Sequence, residues 1–524
     1  MTTSKIGSMA LALLCTASLA QAQQTQQTET EQTLTLADAT ARALARNLDI
    51  RIDRETVSIA EAREVSAQGS YDFRLRADGT DRYQLAPNVT LFSGAPPGDL
   101  APWQNDFSGS ASLSRLFKTG ATATASTSVA RDTTNSFFTL FTPAYITSLG
   151  LQVRQPLFKG REIDPARTQL KITALDTQKS HATLQQQVQN IVALVEQGYW
   201  SLVATRREVD VRRDSVTLAE RQQADTQARI DARTAAALDI AQPIAEVERR
   251  RGDYFAAQEQ AVRAERNLKL LMTDDPADPI WSVTLVPTNP PEVEARPIDI
   301  RRALTDAMKL RPELAAGALD VSVAEAQTAL AKDALRPQVD VVAGYTARGL
   351  AGTHNPQTVA FPGVIAPFPE QLAGALGVSY QTLAQQHFPD ASIGVSVDVP
   401  LGRHAAKGDY AVAQSQQRQA SLRLSQTRDR IAVDVLDSAT ALETAASRMQ
   451  AARAGLQAAT TQLQAEQDRF GAGTSTNFLV LTRQNDLEQA QLTEISAATQ
   501  YRRALTEFAR ATGTLLVDRG ITVK

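Results

Sequence analysis

The sequence predicts a mainly α fold with a membrane β-barrel part: a tandem repeat of long coiled-coil helices, with strands between them that join a barrel shared among copies. Three observations carry this. A block near residue 57 recurs near residue 321. Apolar residues recur every seven positions over a stretch far longer than an ordinary helix. Segments between the helices alternate apolar and polar residues over lengths that cross a bilayer as tilted strands.

The composition fits such a chain. At 524 residues it is long enough for more than one ordinary domain, and a net charge of -3 gives no reason for a nucleic-acid partner. It is 43% hydrophobic, 21% charged and only 5% aromatic, with abundant Ala and Gln, a bias that suits closely packed long helices. The single cysteine, Cys15, excludes a disulfide framework and a cysteine metal site. Residues 1–22 read as a signal peptide: Lys5, the short apolar run Met9 to Leu19, and the small-x-small site Ala20-Gln21-Ala22. Cleavage there starts the mature chain near Gln23 and removes Cys15. No later apolar run is long enough for a membrane helix.

Val57-Ser58-Ile59-Ala60-Glu61-Ala62 recurs as Val321-Ser322-Val323-Ala324-Glu325-Ala326, an offset of 264. Further on the offset falls to 240: Arg229-Ile230 meets Arg469-Phe470, and Thr234 meets Thr474. A changing offset means that loops of unequal length separate equivalent elements. The first repeat is set at 23–273, a proline-rich connector at 274–298, the second repeat at 299–515 and a tail at 516–524. Each repeat opens with a helix, at 36–68 and 299–335. It then has strands and a pair of long helices, at 161–232 and 236–272 and at 403–470 and 476–512. About 70 helical residues reach on the order of 100 Å.

Val435, Leu442, Met449, Leu456, Leu463 and Phe470 lie seven apart, and subtracting 240 gives Val195, Leu202, Val209, Val216, Gln223 and Ile230. Such a repeat keeps one seam on a partner helix and imposes a left-handed supercoil. A second row, Ala445, Ala452 and Ala459, permits close helix approach. The helices alone fit either a solvated scaffold or a wall around a space.

The strands favour the wall. Tyr71, Phe73, Leu75 and Ala77 alternate with Asp72, Arg74, Arg76 and Asp78. Ile393, Val395, Val397 and Val399 alternate with Gly394, Ser396 and Asp398, and two further sets follow Val339 and Tyr145. In lipid every backbone group must be paired, so so few strands close a barrel only if several copies pool them. Long Gly/Pro-rich loops are expected at Leu85 to Asn105 and Thr346 to Pro389.

With these features in view the chain resembles the TolC family of outer-membrane efflux proteins, over nearly the whole mature sequence. The resemblance rests on the repeat, on the strand ends Gln155-Pro156-Leu157-Phe158-Lys159-Gly160 and Val399-Pro400-Leu401-Gly402, and on the hairpin tip Arg469-Phe470-Gly471-Ala472-Gly473-Thr474. It implies a homotrimer in outer-membrane lipid, four strands per subunit in the shared barrel, and a helical barrel extending into the periplasm. It implies a passive duct for efflux or type I secretion, with no enzymatic activity, cofactor or metal. The partners it implies are a periplasmic adaptor (membrane fusion) protein and an inner-membrane pump. By motif position, adaptor docking falls on Ala232, Arg233, Thr234, Gly471, Gly473 and Thr474, and the gate constriction on Asp239, Leu479 and Thr482.

The sequence departs from the family at the tips. The acidic pair usual in the second repeat falls on Leu479 and Thr482. The tyrosine and arginine of the usual closing links fall on Phe470 and Ser475. Arg233 stands where a glycine is usual, while Asp239 keeps its aspartate. A more apolar constriction through Leu479 is therefore expected. The first repeat also carries an extra strand-like hairpin, 106–131, favoured to lie outside the shared barrel, the alternative being that it adds two strands per subunit and widens the barrel. The alternative function is a periplasmic coiled-coil scaffold or adaptor of an export complex.

Other chemistry is not supported. His181, His354, His387 and His404 have no metal-ligand spacing. Gly471 to Thr476 resembles a phosphate loop but lacks the lysine, so it reads as a helix-hairpin turn. The runs Arg206-Arg207, Arg212-Arg213 and Arg249-Arg250-Arg251 read as solvated faces or inter-helix pairs.

Overall fold

A computed structural model describes residues 30–85, 87, 94–234, 236–290, 297–358 and 368–523. The signal-peptide residues, Pro291 of the connector, and Phe361-Pro362-Gly363 with Pro367 lie outside them. The first repeat runs β1 (Thr30–Leu34), α1 (Leu36–Arg46), α2 (Leu48–Gln68), β2 (Arg74–Leu85), β3 (Trp103–Leu116), β4 (Thr122–Thr134), β5 (Phe141–Pro156), α3 (Pro165–Asp231) and α4 (Ala241–Leu271). β6 (Val283–Pro287) follows, then α5 (Ile300–Leu310), α6 (Pro312–Asp333), β7 (Gln338–His354), α7 (Leu376–Ala384), β8 (Phe388–Asp398), α8 (His404–Gly471), α9 (Asn477–Ala511) and α10 (Leu515–Asp518). No described helix is long and apolar enough to cross a membrane.

The opening helix of each repeat is broken, not continuous as the period suggests. Asn47, with ψ 129°, ends α1 and caps α2 by accepting from the N–H groups of Asp49 and Ile50. Its counterpart Arg311 precedes Pro312, which drives it out of the helical region to ψ 118°. Arg311 is buried and donates to Asp434 and to the carbonyls of Arg510 and Ala511, fixing the break against α8 and α9.

α3 has 67 residues and α8 has 68, so each extends on the order of 100 Å. The seven-residue seam is the packed one: Val195, Leu202, Val435, Leu442, Met449 and Leu463 are buried, as are Ala445, Ala452 and Ala459. Further along α3 the seam residues Val209, Val216 and Ile230 are only half-buried, and Ser215, Ala219, Gln222 and Thr226 take the inner positions. The connector is not structureless: β6 pairs in parallel with β1. It also carries Asp278, whose buried carboxylate holds Arg42 and Arg46 at 2.7 and 2.6 Å. The tail begins in α10, from which Arg519 reaches back to Glu196 of α3 at 2.6 Å.

The remaining six strands form one sheet in the order β2-β3-β4-β5-β7-β8, each antiparallel to its neighbours. The hairpin over 106–131, favoured to stand apart, is part of this sheet. β3 and β4 lie inside the sheet, with β3 paired to β2 from Arg74↔Ser114 to Leu85↔Trp103. The alternation continues through all six strands. Even-numbered residues give a polar face, with Arg74, Ser110, Ser126, Gln152, Thr346 and Ser392 among them. Odd-numbered residues give an apolar face that carries Leu75, Leu113, Val129, Leu151, Tyr345 and Ile393. Near the helical end the guanidinium of Arg115 lies 4.6 Å from the Phe73 ring centroid and 5.5 Å from that of Phe117.

The segment expected as a loop from Thr346 to Pro389 is partly ordered. β7 continues to His354, Pro389 lies within β8, and α7 packs beside β7. Thr382 accepts from the Leu350 N–H at 3.0 Å, and Thr147 bonds the Ser379 hydroxyl at 3.0 Å. Gly349 makes this contact possible, because a Cβ there would lie 1.9 Å from the Ser379 carbonyl oxygen.

Candidate functional site

The two hairpin tips at the far ends of the long helices are built on one plan. Ala232 is the C-cap of α3, and Ala472 that of α8. The next residue enters the left-handed region, Arg233 at φ 58° and Gly473 at φ 74°. The Arg233 N–H donates to the Ile230 carbonyl and the Thr234 N–H to that of Arg229, both at 2.9 Å. Gly473 and Thr474 repeat this on Phe470 and Arg469 at 3.1 and 2.9 Å. This is the Schellman closure, which satisfies the last carbonyls of a helix. Each threonine hydroxyl adds a second bond to the same arginine carbonyl. Ala232, Arg233, Thr234, Gly471, Gly473 and Thr474 are thus all tip residues, and all six are exposed.

The three residues assigned to the gate occupy different settings. The Asp239 carboxylate accepts from the Ala236 N–H at 3.1 Å, so it shapes the turn into α4. Leu479 lies in the first turn of α9, 40% exposed, behind the N-cap Thr476. The Thr482 hydroxyl bonds the Phe478 carbonyl at 2.8 Å. No hydrogen bond or ion pair joins these three to one another among the described residues.

The two hairpins are held to each other by contacts that spacing did not reveal. The Arg229 guanidinium of the first tip lies 4.3 Å from the Phe470 ring centroid of the second, a cation–π contact between the repeats. Further up, Gln222 donates to Asn477, and Arg212 pairs with Glu488. Ser215 donates to the same carboxylate at 2.5 Å. Beside them the Arg250 side chain, 1% exposed, donates to Glu246 at 2.8 Å, to Asn485 at 2.9 Å and to the Ser215 carbonyl at 3.0 Å. The neighbouring Arg249, and then Arg250, hold the Glu246 carboxyl below the usual carboxylate range. Of the arginine runs, Arg250 is therefore no solvated residue but the centre of a buried polar joint between α3, α4 and α9. The Arg212–Glu488 pair joins residues 276 positions apart, a separation no local motif encodes.

No group of three or more His, Cys, Asp or Glu residues that could hold a metal occurs among the described residues. A sheet with one polar and one apolar face, joined to two helices of about 100 Å that each fold back in a hairpin, is the arrangement that a membrane-barrel subunit with a helical extension would have. Comparison with known proteins agrees. Residues 303–514 match the family of outer membrane efflux proteins. No curated protein matches by sequence. Among solved structures, the outer-membrane channel OprN is similar at 16% identity and a TM-score of 0.64, covering 91% of this chain and 89% of that one. The CmeC outer membrane channel of Campylobacter jejuni aligns at 12% identity and a TM-score of 0.65, covering 92% and 86%. The open state of the MtrE outer membrane channel of Neisseria gonorrhoeae aligns at 16% identity and a TM-score of 0.61, covering 92% and 89%. Residues 303–514 are thus similar to the outer membrane efflux protein family, and the chain as a whole has the fold of these outer-membrane channels.

Proposed function

We propose that this chain is the outer-membrane duct of a tripartite export system: three copies share a barrel in the outer membrane and extend a helical tunnel into the periplasm. The observation that carries this reading is the six-stranded sheet with one apolar and one polar face, continuous with two helices of about 100 Å. A periplasmic scaffold needs the helices but has no use for an apolar sheet face. The duct works passively. An inner-membrane pump supplies the free energy, and an adaptor protein docks at the tips, on Ala232, Arg233, Thr234, Gly471, Gly473 and Thr474. Residues 1–22 act as the cleaved export signal. Efflux and type I secretion both use such a duct.

The gate lies where the hairpins converge. Leu479 and Thr482 stand where the family resemblance places carboxylates, so Asp239, which accepts from the Ala236 N–H, is the one acid of the three positions in each copy. The constriction is therefore weakly charged. Trimers of the full chain in planar bilayers test this. The expected result is discrete conductance steps with weak cation preference and no block by divalent ions from the periplasmic side. Strong cation selectivity with divalent block would overturn the gate assignment, and absence of conductance the duct itself.

A further inference from the structure

The sheet ends on two open edges, β2 and β8, and every residue along both is exposed. Six strands are too few to close, since the smallest membrane barrels have about eight. All five ladders are antiparallel, so β2 and β8 run in opposite directions. The last strand of one copy therefore meets the first strand of another in the antiparallel sense that membrane barrels use.

We propose that β8 of each copy pairs with β2 of the next in a fixed register, Asp398 opposite Arg74, so that three copies close an eighteen-stranded barrel. This rests on the trimeric duct proposed above and adds to it the strand count and the seam. The register follows from charge and face. With Asp398 opposite Arg74, Asp390 falls opposite Arg82, so both acids of β8 meet arginines on the polar face. On the apolar face Val397, Val395 and Ile393 then meet Leu75, Ala77 and Gly79. Sliding by one residue turns every polar side chain to lipid. Sliding by two in one direction sets Asp398 against Asp72; in the other Asp398 meets Arg76, which Asp78 already holds at 3.0 Å, and Asp390 meets Gln84. Arg74, Arg82 and Asp398 make no ion pair within the protomer among the described residues. Asp390 has one, exposed, with Arg348 at 3.2 Å.

The count follows from the hairpin β3-β4. Its ladders to β2 and β5 are continuous, and its rows Ser108, Ser110, Ser112, Ser114 and Phe107, Gly109, Ala111, Leu113 keep the faces of their neighbours. Moved outside, it would leave one of those rows in the wrong solvent. At a tilt near 40° and about 4.8 Å between strands, eighteen strands make a barrel of about 36 Å backbone diameter, against about 24 Å for twelve.

Electron cryomicroscopy of the full chain in lipid nanodiscs tests the proposal. Three copies with eighteen strands and a β8–β2 seam are expected. Three copies with twelve strands, and 103–134 outside the wall, would overturn this inference and leave the duct standing. Any other copy number would overturn the duct as well. The register is tested by oxidising a double variant, Arg82→Cys with Asp390→Cys, in isolated membranes. Covalent trimers on denaturing gels are expected from this pair and at least ten-fold less from Arg82→Cys with Ser392→Cys. The reverse preference would overturn the register.

Discussion

Replacing Arg233 by glycine should tighten the first hairpin tip. The two tips share their hydrogen bonds, and the residue in the left-handed region is Arg233 at φ 58° in one and Gly473 at φ 74° in the other. A side chain in the left-handed region costs roughly 1–2 kcal/mol, because Cβ crowds the following carbonyl oxygen. Glycine gives back about 0.4–1 kcal/mol through the greater freedom of the opened loop. The net gain is about 0.5–1 kcal/mol, which makes local opening roughly two- to five-fold rarer. Arg233 is exposed and makes no ion pair among the described residues, so little is lost with its side chain. Hydrogen exchange read by mass spectrometry on a peptide spanning 226–240 is the assay. Arg233→Gly should slow exchange there two- to five-fold, and Gly473→Arg should quicken exchange over 466–480 by a similar factor. Unchanged or faster exchange in Arg233→Gly would refute the argument that backbone strain distinguishes the two tips.

Three other perturbations have defined outcomes. Arg229→Ala removes the cation–π contact with Phe470, worth about 0.5–1 kcal/mol at an exposed site, and should raise open probability in planar bilayers two- to five-fold. Arg229→Lys should have the smaller effect, and equal open probabilities would remove this contact from the gate. Glu196 is fully buried and accepts from Thr506 at 2.6 Å and Arg519 at 2.6 Å. Arg519→Ala strands the buried Glu196 carboxylate at a cost on the order of 3 kcal/mol, visible as a lower thermal midpoint, whereas Glu196→Ala leaves a half-exposed guanidinium to water and should lower it less. The Asp278 carboxyl is held below its usual value by the Ile280 N–H first, and also by Arg42 and Thr273. Its contribution is thus complete above about pH 4, the unfolded carboxylate value, and is lost as pH falls through the lower folded value. Asp278→Asn should lower stability at neutral pH and flatten the acid limb of the stability profile; an unaltered limb would contradict the assignment.

What the sequence revealed was what repeats locally. Val435, Leu442 and Met449 announce their burial by a seven-residue spacing, and Ala445, Ala452 and Ala459 by their size. The strand faces were legible because alternation is a property of neighbours along the chain. The breaks at Asn47 and Arg311 were encoded too, by a capping residue and by Pro312, but the apolar period runs through both and conceals them. Membership of β3 and β4 in the main sheet depends on pairing between strands, which alternation leaves open. At the tips the recurring Thr234 and Thr474 were visible, whereas the Arg229–Phe470 contact and the buried Arg250 were not. Those depend on how one hairpin lies against the other, and an arginine in a charged run looks the same whether it faces water or a neighbouring helix.

The central claim is that the apolar face of the β2–β8 sheet lies in the lipid of the outer membrane. Carbonate washing of separated membranes, followed by detection of the mature chain, tests it most directly. The account predicts that the chain stays with the outer-membrane fraction at alkaline pH and high salt, and leaves it only with detergent. Release into the wash as a water-soluble species would contradict it.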